Sequence, residues 1–129
     1  MAELKRMSVR TSEFQRATID EYRSHVPRDD AERILWHELL RTVTALANNS
    51  AESDGTQSGK DFIQKFQISL KEGRESLQLL RALTHACSTR KESLQTLTDA
   101  CNEIVAILVA SLRTAKANEL SKERERRRK

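Results

Sequence analysis

From Leu94 to Ala115, apolar and small residues fall at Leu94, Leu97, Cys101, Ile104, Leu108, Ser111 and Ala115, in steps that alternate three and four without a break. That spacing holds one stripe on one side of an α-helix, and it is the seam by which helices of a left-handed bundle interlock. Around the same helix, Ile104, Val105, Ile107, Leu108, Val109 and Leu112 occupy most of the circumference. A helix that is apolar on most sides must be buried on most sides. A small bundle covers roughly one face of each helix, so Val105, Val109 and Leu112 are expected to meet a second copy of the chain. The alternative is a helix set unusually deep in a monomer.

Two further segments carry the same spacing. Leu35, Leu39, Thr42, Leu46 and Asn49 follow steps of four, three, four and three, widened by Leu40, Val43 and Ala47. Phe62, Phe66, Leu70, Gly73, Leu77, Leu80 and Thr84 mark the buried face of the next helix. Gly73 costs about 1 kcal/mol against Ala inside a helix, which suits a point where a neighbour comes close. Between these two segments, Ser53-Asp54-Gly55 supplies turn chemistry. A thinner stripe, Phe14, Ala17, Thr18, Tyr22 and Val26, makes a first helix. Residues 1–10 are weakly patterned and are expected to fray or to extend that helix briefly.

Caps and breakers set the boundaries. Ser12 with Gln15, Asp29 with Glu32, and Thr89 with Glu92 have the spacing of capping boxes, and Ser58 with Asp61 three residues on starts the third helix. Pro27 disfavours helical geometry at Val26. The prediction is an all-α, antiparallel up-down-up-down four-helix bundle, assembled as a homo-oligomer. Its helices cover about 12–26, 29–52, 58–86 and 90–117 within a single domain, 1–121, followed by a basic tail, 122–129.

The charge supports that division. The last eight residues hold six of the 23 Lys and Arg and two of the 19 Asp and Glu, leaving 17 of each sign in residues 1–121. The body is neutral and the basic character sits in Lys122, Arg124, Arg126, Arg127, Arg128 and Lys129. Clustered cations gain free energy by releasing counterions from phosphates, so this tail is the candidate nucleic-acid contact. The plain alternative is a solvated helix end with cations well placed near a helix C-terminus. No aromatic set accompanies the tail for stacking on bases. No run approaches the roughly 20 apolar residues of a membrane span. No apolar leader follows Glu3, and Cys87 and Cys101 form no C-x-x-C pair, so a cytoplasmic chain with packed thiols is expected.

The stretch around the second turn resembles the four-helix-bundle family of intervening sequences in bacterial 23S ribosomal RNA genes. That family's pattern reads roughly N-I-A-E-G-x-G-R-x-S-x-K-D-F. Asn49, Ala51, Glu52, Gly55, Ser58, Lys60, Asp61 and Phe62 fall in the matching places, with Ile68 and Glu75 in the helix that follows. Helix order fits over roughly 12–117. Ser53 stands where Gly is usual, Thr56 and Gln57 where Arg is common, and Lys71-Glu72 where a small pair is frequent. The loop therefore lacks the arginines best suited to phosphate. The resemblance implies a four-helix bundle, homopentamers around a central channel, no established enzymatic activity and a plausible RNA-related role. It also leaves room for a protein partner.

Enzymatic constellations are missing from the pattern. His37-Glu38-Leu39-Leu40-Arg41 starts like H-E-x-x-H but ends in arginine. His85, Cys87 and Cys101 are better explained as a boundary histidine and packed thiols than as metal ligands. There is no Glu-x-x-His, no Gly-rich phosphate loop, and no base spaced to activate a Ser or Cys. Asn49, Glu52 and Asp61 are expected to close the hairpin, Asn49 and Glu52 by bonding free backbone groups at helix ends. No cofactor or metal is expected.

Overall fold

The structure is a computed structural model, and it describes residues 6–56 and 58–128. The N-terminal residues 1–5, Gln57 and Lys129 lie outside the described residues. Four α-helices account for nearly all of the rest: α1 Met7–Ser24, α2 Asp30–Ser53, α3 Gly59–Ala86 and α4 Lys91–Arg128. A single 3₁₀ turn, Ser88–Arg90, joins α3 to α4.

Side-chain pairs fix the topology. Gln15 and Ser8 of α1 meet Thr44 and Asp54 of the α2 side, so those helices run antiparallel. Thr42 and Ser50 of α2 meet Ser76 and Ser69 of α3. Gly73 and Lys60 of α3 meet Cys101 and Glu123 of α4. Arg10 of α1 reaches Glu103 of α4, which closes the ring. Each helix packs on its two neighbours and none on its diagonal, as in an up-down-up-down bundle.

The core is aliphatic through its middle, with Leu39, Val43, Leu46, Leu80, Leu83, Leu94 and Leu108 closed to solvent. It also holds polar residues, of which Thr18 and Thr42 fall in the expected stripes and Thr11 and Ser76 do not. Thr11 and Thr18 are fully buried, and each hydroxyl donates to the carbonyl one turn back, Met7 O and Phe14 O. Thr42 and Ser76 share a 2.8 Å hydrogen bond between α2 and α3. Each buried hydroxyl is satisfied, so its burial costs little.

Several boundaries differ from the sequence expectation. The first helix begins at Met7, not at Ser12, because Met7 and Thr11 bury their side chains and hold the extra turn in place. Ser12 is therefore inside the helix, and Gln15 bonds Thr44 instead of capping. The helix ends at Ser24, and Val26, expected in the stripe, is 87% exposed. Asp29 does cap α2, accepting from Glu32 N at 2.9 Å. The Glu32 carboxylate takes the N–H of Arg28 at 2.8 Å, one residue further out than a capping box would place it. Thr89 sits within the 3₁₀ turn, so the expected box with Glu92 does not form. The turn after α2 tightens through 3₁₀-type bonds from Asp54, Gly55 and Thr56 to Ala51, Glu52 and Ser53, and Gly55 keeps a negative φ.

The fourth helix, expected to continue past Ala117 and fray into the tail, stays helical as α4. It runs 38 residues to Arg128, well past 117. At 1.5 Å per residue that is about 57 Å. Its broad apolar girth is largely covered within one copy. Ile104, Leu108 and Leu112 are buried, and Val105, Ile107 and Val109 are half-buried. Large hydrophobics left exposed among the described residues are Val9, Val26, Ile34, Ile68 and Leu120. No helix of the described residues is long and apolar enough to cross a membrane.

Candidate nucleic-acid interface

The C-terminal part of α4 is built in two registers. Glu119 and Glu123 are half-buried and turn toward the start of α3. Glu123 lies 4.0 Å from Lys60 Nζ, and a Cβ placed on Gly59 would collide with the Glu119 carboxylate. Glycine at that position lets α4 lie against the first turn of α3. Glu119 also pairs with Lys122 at 3.8 Å, one turn along.

Beyond Glu123 no described residue of another helix is paired with α4. Arg124, Arg126, Arg127 and Arg128 are exposed on continuous helix, and none forms an ion pair with a described residue. Of the expected contact residues, then, Lys122 is committed to Glu119 and these four arginines are free, while Lys129 lies outside the described residues. The segment expected as a tail is an ordered cationic rod on the end of the bundle. Helical geometry spreads its arginines around the axis.

The second turn holds the family-motif residues in structural roles. Ser58 caps α3 by accepting from Asp61 N at 3.1 Å. Glu52 binds Lys65 Nζ at 2.9 Å across the α2–α3 gap, which raises the affinity of Lys65 for its proton. That replaces the expected bond from Glu52 to helix-end backbone, because the α3 ammonium is nearer and charged. Asn49 is half-buried and makes no hydrogen bond with a described residue. Gly55 is exposed. Phe62 stacks on Phe66 at 4.2 Å between centroids, with Phe66 buried and Phe62 half-buried.

Phe62 also floors an open groove of about 510 Å³ between α3 and α4, walled by Ala110, Ser111, Thr114 and Ala115 and bounded by Asn118 and Lys122. Of the interface candidates, Leu112 is 5% exposed and belongs to the core of one copy. Val105 reaches Gly73: its Cγ2 would stand 3.2 Å from a Cβ on that glycine. Val109 is half-buried on the flank toward solvent.

At the far end of the molecule is a polar cluster that the sequence pattern did not reveal. Arg90 Nη2 lies 2.6 Å from Glu21 Oε2 and also donates to the Glu21 carbonyl. Its guanidinium sits 5.1 Å above the ring of Trp36, which is closed to solvent and tilted against Tyr22. Glu32, buried beside it, holds its carboxyl below the usual range through the Arg28 N–H, against the cost of burial. These contacts tie α1, α2 and the α3–α4 connection together. They are internal pairs, not an open site. Among the described residues no three His, Cys, Asp or Glu side chains are grouped to hold a metal ion.

No protein-family model matches the chain, and no curated protein matches it. Among solved structures, it is similar to a protein of unknown function from the S23 ribosomal protein family of Bacteroides thetaiotaomicron. The two are 21% identical with a TM-score of 0.68, over 82% of this chain and 97% of that one. That likeness establishes the four-helix fold.

Proposed function

We propose that the protein is a non-catalytic helical scaffold that binds nucleic acid, RNA foremost, through the basic end of α4. The observation that carries this reading is the run of exposed arginines, Arg124, Arg126, Arg127 and Arg128, with no ion pair to a described residue, on the last turns of α4. Unpaired cations are the ones that neutralise phosphates without first breaking a bond within the protein. The solved structure of like fold bears the name of a ribosomal protein family, which agrees with an RNA partner. We place the chain in the neighbourhood of the intervening-sequence bundles, and its assembly as a homopentamer belongs to the same proposal. Five such ends held together would bind far more tightly than one.

The test compares the full chain with one ending at Ser121, using fluorescence anisotropy on labelled RNA and light scattering for mass. Truncation is expected to weaken binding by tenfold or more and leave the mass per assembly unchanged. Equal binding by the two chains would overturn the reading.

A second reading is a protein-binding adaptor. The groove floored by Phe62 favours it, since its small-residue walls suit a short apolar segment of a partner. A protein captured through that groove, insensitive to nuclease and to moderate salt, would select this reading over the first.

A further inference from the structure

The neutral total of the body conceals a segregation of charge by face. On α3, positions 60, 67, 71, 74, 78 and 81 recur at steps of seven, four, three, four and three, so they share one stripe. They are Lys60, Gln67, Lys71, Arg74, Gln78 and Arg81, all exposed, with no carboxylate among them. The carboxylates of α3 face the other way. Arg41 of α2 holds its proton more tightly chiefly through Glu38, with Glu72 and Glu75 of α3 adding to it, and Asp61 adds to the effect of Glu52 on Lys65 on the α2 side. The stripe itself leans to α4: Lys60 approaches Glu123, and the charge of Arg81 is felt at Cys101.

A matching stripe runs along α4. Arg113, Lys116, Leu120, Arg124 and Arg127 follow steps of three, four, four and three, all exposed and with no carboxylate. Of the acidic groups nearby, Glu103 turns to Arg10 of α1 and Glu119 to Gly59, while Glu123 lies 4.0 Å from Lys60 and so partly neutralises the first cation of the α3 stripe. Lys71, Arg74, Arg81, Arg113 and Lys116 form no ion pair with a described residue. Lys71 forms no ion pair with Glu75 one turn further on, although its charge is felt at the adjacent Glu72.

We infer that the outer face of α3 and α4 is a binding surface for the phosphate backbone of a nucleic-acid duplex, continuous with the basic end of α4. The inference rests on the nucleic-acid reading above and gives it a ligand class. Two rigid rows of cations run side by side, spaced as packed helices are, roughly 8–10 Å apart. The α3 row, Lys60 to Arg81, is about 32 Å long, and the α4 row, Arg113 to Arg127, about 21 Å. Rows of that reach and stiffness match a charged rod, and a duplex carries about one charge per 1.7 Å of its axis. Single strands are held by stacking bases on aromatic rings. Neither stripe contains an aromatic residue, and the chain's five, Phe14, Tyr22, Trp36, Phe62 and Phe66, are buried or half-buried. Recognition here is of the backbone, without base readout.

The test is anisotropy on duplex RNA, duplex DNA and a single strand of equal length, each over a range of salt. The probe proteins are the full chain, the chain ending at Ser121, and the full chain with Arg74→Glu and Arg81→Glu. A control carries Arg16→Glu and Arg23→Glu, the same charge change on exposed residues of α1. Helix content by circular dichroism checks that each variant is folded. The α3 variant is expected to lose tenfold or more in duplex affinity and to lower the salt slope by about two, with the α1 control close to wild type. The two duplex arms decide between RNA and DNA. Wild-type binding that is unchanged in the α3 variant but lost on truncation would overturn the face and leave the α4 end standing. Equal losses in the α3 variant and the α1 control would also overturn it, since net charge alone would then explain binding. A single strand bound as tightly as duplex would overturn the ligand class. A wild type that binds none of the three would overturn both readings.

Discussion

Arg90 closes on Glu21 with Nη2 2.6 Å from Oε2, joining the α3–α4 connection to the last turns of α1 across 69 residues of sequence. The pair is nearly closed to solvent, with side-chain exposures of 6% and 16%. Ser93 also donates to Glu21 Oε2, at 3.0 Å, so the carboxylate is well satisfied. Removing one partner of a buried pair leaves the other charge uncompensated, at a cost of about 3–5 kcal/mol. Arg90→Ala is therefore expected to lower the unfolding free energy by that much. Arg90→Lys keeps the charge but loses the fork and the stacking on Trp36, and should fall in between. Urea unfolding followed by circular dichroism measures both, and a loss under 1 kcal/mol for Arg90→Ala would refute the role.

Gly73 of α3 packs against Val105 of α4. A Cβ at Gly73 would meet Val105 Cγ2 at 3.2 Å, tight enough that the valine must move. In an open helix Gly→Ala is worth about 1 kcal/mol of stability. Gly73→Ala alone should fall short of that gain, and Gly73→Ala on a Val105→Ala background should recover it. A double-mutant cycle by urea unfolding reads the coupling directly. Additive effects would mean that the glycine is not there for packing.

The two thiols set an alkaline limit. Burial pushes Cys87 up to about 11 and Cys101 up to about 12. In the unfolded chain both ionise near 9, so above that pH the unfolded state binds fewer protons than the native state. Stability is then full below pH 9 and falls as pH rises toward 11–12. Cys87→Ala with Cys101→Ala should flatten the decline measured between pH 9 and 11. At neutral pH, labelling of the native thiols by iodoacetamide should be slow and should wait on unfolding. Fast labelling of either would contradict its burial.

The four helices were legible because their signal is local. A stripe at steps of three and four, Asp29 and Ser58 at helix starts and Pro27 after a helix end each act within a turn or two of chain. Trp36 was missed because its importance is not local: its ring is buried by Tyr22 and covered by Arg90, 54 residues further on. Thr11 and Ser76 were missed for another reason. Their hydroxyls bond carbonyls one turn back, so a polar residue sits in the core at little cost.

The sequence by itself determined that the chain is a helical bundle, where its turns fall, and that its excess positive charge lies at the C-terminus. Periodicity and composition are properties of the chain alone. Only the tertiary structure decided that the C-terminal charges ride on helix, that the girth of α4 is mostly covered within one copy, and that cations gather on the face of α3 and α4. A flank of a helix becomes buried, paired or free only when a neighbour is set beside it. Glu72 and Arg74 are two residues apart in the sequence, yet one faces Arg41 of α2 and the other faces open solvent beside α4.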